Sequence, residues 1–203
     1  MKPFPTNFVK KSTIVSAAGL DDAGQFALQK LHDSGYELQH GMTRQYADAI
    51  KKLATQPSIC TYCIKDGTSR FCDQESTGRW LEKGRAVFLL VESHSGNIAG
   101  YAWSGPETSP QLPEGKVTVA MRISEDYQGR GLATPYLQCV VSATKHLYEA
   151  TGFWLETWQS NAGAVHVYQK VGFIPVAQET GNRTVPDGEP IVDTRLYMEL
   201  QER

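Results

Sequence analysis

Ile123 to Tyr136 brings together residue types suited to holding an anion. An alternating apolar run ends, Gly129 and Gly131 follow with one residue between them, and a long amphipathic stretch begins. Glycines at such a junction let the chain turn tightly with its N–H groups clear of side chains. The start of a helix adds unpaired N–H groups and the positive end of its dipole. A pyrophosphate is the kind of ligand that arrangement suits, although the residues alone are equally compatible with a plain tight turn. A dinucleotide loop fits less well. The third glycine is absent, and no acid stands at the end of a following strand, Glu149 falling inside the expected helix.

Further stretches carry chemical types. Asn161, Ala164, Tyr168, Gly172 and Phe173 lie in one short segment; Asn161 suits a helix cap, Gly172 a helix stop, and Tyr168 shares a helix face with Ala164. Cys60-Thr61-Tyr62-Cys63 has the CxxC spacing of metal and redox sites. No second CxxC or HxxxH pair accompanies it, and Cys72 and His94 would complete a ligand set only at an unspecific spacing. The alternation of Ile59, Thr61 and Cys63 with Cys60, Tyr62 and Ile64 predicts a strand with buried free thiols, and no metal is expected. Glu156, Glu92 and Glu125 are carboxylates that could serve as a general base, each with a solvated or ion-paired role as its plain alternative.

These groups need elements to position them. Thr13 to Ala18 is expected as a first strand. A helix follows, with Asp22 as cap and Gln25 three residues on, and ends at Gly35. A second helix runs from Thr43 to Pro57, with Tyr46, Ala47, Ile50, Leu53 and Ala54 on one face, and a short one covers Glu75 to Glu82. Ala86 to Val91 and Ile98 to Trp103 form a hairpin about Ser93 to Asn97, and the near-continuous apolar run around Leu90 predicts a strand covered on both faces. Gly105 to Gly115, with Pro106, Pro110 and Pro113, reads as loop. Lys116 to Ser124 alternates as a strand, with Val117, Val119, Met121 and Ile123 on one side. The helix after Gly131 must start late enough for Pro135 to fall in its first turn. Phe153 to Trp158 is a strand, Asn161 to Val171 a helix, and Phe173 to Ala177 and Asp193 to Leu200 closing strands, with 178–190 a mobile loop or an extended hairpin tip.

Composition excludes several classes. The 203 residues, 40% hydrophobic and 21% charged, fit a single globular domain over 1–203. Twenty basic residues against 22 acidic ones argue against a nucleic-acid binder. No run approaches the ~20 apolar residues of a membrane span. Met1 to Lys11 carries lysines but no signal-peptide core, so the expectation is a cytoplasmic protein, monomeric or homodimeric.

Gln128-Gly129-Arg130-Gly131-Leu132-Ala133 resembles the Gln/Arg-x-x-Gly-x-Gly/Ala signature of the GNAT superfamily of N-acetyltransferases, matching at Gln128, Gly131 and Ala133, after a strand and at the opening of a helix. Asn161 to Phe173 resembles the superfamily's second stretch, an Asn before a helix that ends Tyr-x-x-x-Gly-Phe. The resemblance spans roughly Lys116 to Phe173. It implies an α/β (α+β) fold: a mixed, mostly antiparallel sheet of about seven strands, helices on both faces, and a splayed parallel pair, 116–124 and 153–158. It implies acetyl-CoA as co-substrate and direct transfer to a primary amine of a small molecule or peptide. Met121 and Ile123 would meet the pantetheine and thioester. The backbone from Gln128 through Gly129, Arg130, Gly131 and Leu132 to Ala133 would hold the pyrophosphate. Asn161 would contact the pantetheine, and Tyr168 would be the acid for the leaving thiolate. No Glu lies on the strand before the signature, where some members carry their base. Glu156 is then the first alternative, beside a water relay. Another acyl group, or a catalytically silent CoA-binding module, is the competing reading.

Overall fold

The strand beginning at Ala86 has side chains buried from both sides, and the sheet is built around it. The computed structural model describes residues 1–112, 115–186 and 188–201. Its elements in chain order are β1 (Thr13–Ile14), α1 (Asp22–Asp33), β2 (Tyr36–His40), α2 (Arg44–Ala54), α3 (Pro57–Lys65), α4 (Gln74–Leu81), β3 (Ala86–Glu92), β4 (Ile98–Pro106), β5 (Val117–Ile123), α5 (Ala133–Tyr148), β6 (Phe153–Trp158), α6 (Ala162–Val171), β7 (Phe173–Arg183) and β8 (Ile191–Leu200). The strands form one eight-stranded sheet in the order β1-β2-β3-β4-β5-β6-β8-β7. Every pair is antiparallel except β5–β6.

The two-residue period of a strand sends alternate side chains of β3 to opposite cores. Ala86, Phe88 and Leu90 pack with Leu28 and Leu31 of α1 and Tyr136, Leu137 and Val140 of α5. Val87, Leu89 and Val91 pack with Ile50 and Leu53 of α2 and Trp80 and Leu81 of α4. Helices therefore cover both faces, as the apolar run predicts. On the first face α1 and α5 approach closely because Gly24 has no side chain; a Cβ there would lie 2.3 Å from Ser142 Oγ. Ser142 Oγ also donates to Asp21 Oδ1 at 2.8 Å, while the same Asp21 oxygen caps α1 by accepting the Gly24 N–H. The cap is thus Asp21, one residue before the expected Asp22.

Elsewhere the structure differs from the pattern. Cys60 to Cys63 lies on helix α3, not on a strand. Pro57 occupies its first turn, where a missing N–H costs nothing, and Glu125 Oε1 accepts the Ser58 N–H at 2.6 Å as a cap from across the fold. Ile59 and Cys63, four residues apart, turn toward the second core. A short apolar run fits both periods, and here the cap decides. Tyr36–His40 is a strand where none was expected, and the first strand stops at Ile14, a 3-10 turn at Ala17–Gly19 following. β7 continues to Arg183, so 178–183 belongs to one arm of a long hairpin with β8. Pro113 and Asp187 lie outside the described residues. No helix among the described residues is long and apolar enough to cross a membrane.

His40 on β2 and Tyr148 at the end of α5 meet with Nε2 and Oη 2.7 Å apart, and burial pushes the imidazole down to about 4. Below its ordinary value near 6.5 the unfolded chain takes up this proton and the folded one does not, so stability falls as pH drops from about 6.5 to about 4. His40→Phe should flatten that window. The expected difference in unfolding free energy, wild type against variant, is about 1–3 kcal/mol between pH 7 and pH 4.5, measured by urea titration at each pH.

Candidate active site

β5 and β6 are paired only at Val117↔Phe153 and Thr118↔Trp154. Beyond these positions the strands separate, and the opening between them is part of a cavity of about 980 Å³. Its walls come from β5 (118–123), the glycine turn and start of α5 (128–134), β6, α6 and α3. Ser124 N–H donates to the Ala99 carbonyl across the β4–β5 pair at 2.9 Å. Alternation along an antiparallel strand then directs the N–H of Ile123 and of Met121 the other way, into the opening. The outward carbonyls agree: Ile123 O accepts from the Gln128 amide at 3.0 Å and Met121 O from Arg122 Nη1 at 2.8 Å.

At the end of the opening Gly129 and Gly131 both adopt the left-handed conformation, φ +74° and +75°. Open space surrounds the position a Cβ would take at either. Among the described residues, no backbone N–H from Gly129 through Thr134 donates to a backbone or side-chain acceptor. α5 has no side-chain cap, and Pro135 is its third residue, so the N–H it lacks is one that a first turn leaves unpaired anyway. The Gln128 N–H is already spent on the Glu125 carbonyl at 3.3 Å. The free set therefore begins at Gly129 and reaches Thr134, one residue past the expected Ala133. Arg130 does not line the cavity with its side chain. The guanidinium stacks over Tyr127 at 4.8 Å and donates to the Asp126 carbonyl at 2.7 Å.

Met121, Ile123, Gln128, Gly129, Gly131, Leu132, Ala133, Glu156, Asn161 and Tyr168 all line the same cavity. Asn161 Oδ1 caps α6 through the Ala164 N–H at 3.4 Å. Tyr168 is buried, and burial pushes its phenol up to about 12 against the opposing pull of the Arg122 charge. Its hydroxyl has no hydrogen-bond partner among the described residues, nor is it one of the sealed polar atoms there, so it faces the cavity. Glu156 is held by Arg195 Nη1 at 3.1 and 3.2 Å. Glu125 serves the α3 cap, and Glu92 accepts from Ser95 Oγ and, at 3.4 Å, from Tyr127. Two thiols are poor nucleophiles: burial raises Cys63 on the cavity wall, and drives Cys139, buried beneath α1, up to about 12. Among the described residues no group of three or more His, Cys, Asp and Glu side chains is placed to hold a metal ion.

A polar floor lies beneath α3 that the sequence did not reveal. α3 kinks at Cys63 (φ −137°, ψ 43°) and passes into a π-helical turn, Asp66–Arg70. Such turns carry an extra residue per hydrogen-bonded ring and redirect side chains. Here the turn buries Asp66 completely, within reach of Arg70 Nη1 (2.8 Å), Arg122 Nε (2.9 Å) and the Tyr101 hydroxyl (2.7 Å). Burial alone would raise this carboxyl, but the two guanidiniums and the phenol outweigh it and hold it below the ordinary range. Arg122 and Arg70 line the cavity. An arginine on an alternating strand gives no sign of a partner 56 residues away, which is why periodicity overlooked it. Asp66→Ala leaves the Arg122 charge buried and uncompensated, and should cost about 3–5 kcal/mol in chemical denaturation.

Residues 48–173 match the model of the Acetyltransferase (GNAT) family. The chain is 30% identical over 100 residues to an N-alpha-acetyltransferase of Sulfurisphaera tokodaii, a match covering 46% of this chain and 59% of that protein. It is 30% identical over 83 residues to the spermine/spermidine N(1)-acetyltransferase of Bacillus subtilis, covering 39% and 55%. The matches thus span little more than half of those relatives. In fold, the spermidine N-acetyltransferase of Vibrio cholerae, solved with CoA and spermine, superposes with a TM-score of 0.66 at 16% identity, over 82% of this chain and 96% of that one. The matched residues make up more than half of the chain and run through the splayed strands and the glycine turn: this chain belongs to the acetyltransferase (GNAT) family.

Proposed function

We propose that the protein transfers an acetyl group from acetyl-CoA to a primary amine of a small molecule or peptide, by direct attack with both substrates bound. The observation that carries this reading is the row of unspent N–H groups from Gly129 to Thr134 at the end of the β5–β6 opening. It is a cradle for the pyrophosphate of the donor, open because no Cβ stands at the two glycines. The CoA-bound complex of the Vibrio cholerae relative and the acetyltransferase names of the sequence relatives support the choice of donor.

In this reading the donor's arm lies in the opening, and the inward N–H of Ile123 stabilises negative charge on the thioester oxygen as the amine nitrogen attacks. The carbon–sulfur bond breaks, and the departing thiolate takes the phenolic proton of Tyr168, which is fully protonated at neutral pH because burial holds it near 12. Asn161 presents its amide to the pantetheine. The amine's own proton leaves through water. Glu156 is the alternative acceptor, but its carboxylate is already engaged by Arg195. No acetyl-enzyme is required, and the raised Cys63 thiol agrees with that.

Release of free CoA thiol from acetyl-CoA over a panel of primary amines, with mass detection of the N-acetylated product, tests this function. Thiol release matched one-for-one by product supports it. A protein that binds acetyl-CoA but acetylates no amine is instead a CoA-sensing module.

A further inference from the structure

The α3 side of the cavity carries an excess of positive charge. Its carboxylates are all engaged: Glu107 by Arg85, Glu156 by Arg195, and the buried Asp66 by Arg70 and Arg122 together. Lys65, Arg70 and Arg122 face the space there, and among the described residues Lys65 has no acidic partner. One carboxylate shared by two guanidiniums leaves that cluster with net positive charge in a poorly solvated place, where charge acts strongly. Donors also remain unspent. Arg70 uses Nη1 on Asp66, and Arg122 uses Nε on Asp66 and Nη1 on the Met121 carbonyl. The Nη2 of each has no partner among the described residues, and neither is sealed away. This end of the cavity is short of hydrogen-bond acceptors and of negative charge.

From this we infer that the acceptor is a small zwitterion, an amine carrying its own carboxylate, with that carboxylate bound between Arg70 and Arg122 while the amine reaches the β5–β6 opening. The inference rests on the acetyl-transfer reading and sharpens its acceptor. A polyamine would meet like charge and find no free carboxylate; an amino acid supplies the missing acceptors, in the planar form that guanidinium forks match best. Arg122 sits on the opposite side of β5 from Val119, which packs toward α5, so the carboxylate would bind across the strand from the glycine turn.

The test pairs α-, β- and γ-amino acids with their carboxamides, with spermidine as the polycation, all read as CoA thiol release. The expected result is a kcat/KM about tenfold or more higher for an acid than for its carboxamide at one chain length at least, with spermidine slowest. Arg70→Gln should move that ratio toward one. If Arg70→Gln no longer binds acetyl-CoA, Arg70→Lys, which keeps the charge but loses the planar fork, carries the same test. A preference for spermidine or for the carboxamides, an acid-to-amide ratio unchanged in the variant, or no turnover of any carboxylate-bearing amine by protein that acetylates another amine would overturn the inference. Failure of the wild-type protein to bind acetyl-CoA, or binding with turnover of no amine at all, would overturn the acetyl-transfer reading instead, and separates the two.

Discussion

Gly131→Val is expected to weaken acetyl-CoA binding about 100-fold while leaving the protein folded. Gly131 holds φ +75°, a conformation that a β-branched residue enters only at a cost of about 1–3 kcal/mol. Nothing lies within 4 Å of the new Cβ, so no core contact is broken. The chain relieves the strain by leaving the turn, and with it the alignment of the N–H groups from 129 to 134 is lost. Loss of about 2.7 kcal/mol of anion binding corresponds to that factor. Gly96→Val supplies the control. Gly96, in the β3–β4 turn, has φ +73° and equally open surroundings, but lies outside the cavity. Both variants should lose similar stability in thermal melts, and only Gly131→Val should lose the ligand in calorimetric titration.

Tyr168→Phe should lower kcat by about 100-fold with little change in affinity for acetyl-CoA. The ring is buried against Phe173 at 6.3 Å, edge to face, and the variant keeps that packing. Because the hydroxyl bonds to no described residue, its removal leaves no orphaned partner, and stability should hold within about 0.5 kcal/mol. The pH profile tests whether the phenol stays protonated through the working range. With the phenol held near 12, the acid form persists through the whole working range, so Tyr168 contributes no falling limb below about pH 10. Rate profiles of wild type and Tyr168→Phe from pH 6 to 10 should therefore run parallel, displaced by the same factor throughout. A profile that converges at high pH would show that the lost group titrates earlier than this environment allows.

The parts of the fold set by local pattern were legible in the sequence. The β3–β4 hairpin, the strand before the glycine turn, the late start of α5 at Ala133 and the Gly172 stop all follow from period and turn chemistry. Parts set by distant partners were not. Helix α3 takes its cap from Glu125, 67 residues away, so the run at Cys60 to Cys63 could not announce its own period. The Asp66 network is assembled by a π-helical turn that no residue pattern marks. At the site the glycine turn, Asn161 and Tyr168 were visible as a sequence signature and converge on one cavity, while the cationic floor of Arg70 and Arg122 became visible only once strand and helix were placed together. The side chain of Arg130 shows the converse: it sits inside the signature yet turns away to Tyr127.

Acetyl-CoA binding at the glycine turn underlies every other expected result, and calorimetric titration of the purified protein with acetyl-CoA tests it most directly. The expected result is saturable binding of one acetyl-CoA per chain, weakened by Gly131→Val and unaffected by Gly96→Val. Absence of binding to the wild-type protein, or binding indifferent to Gly131→Val, would contradict it.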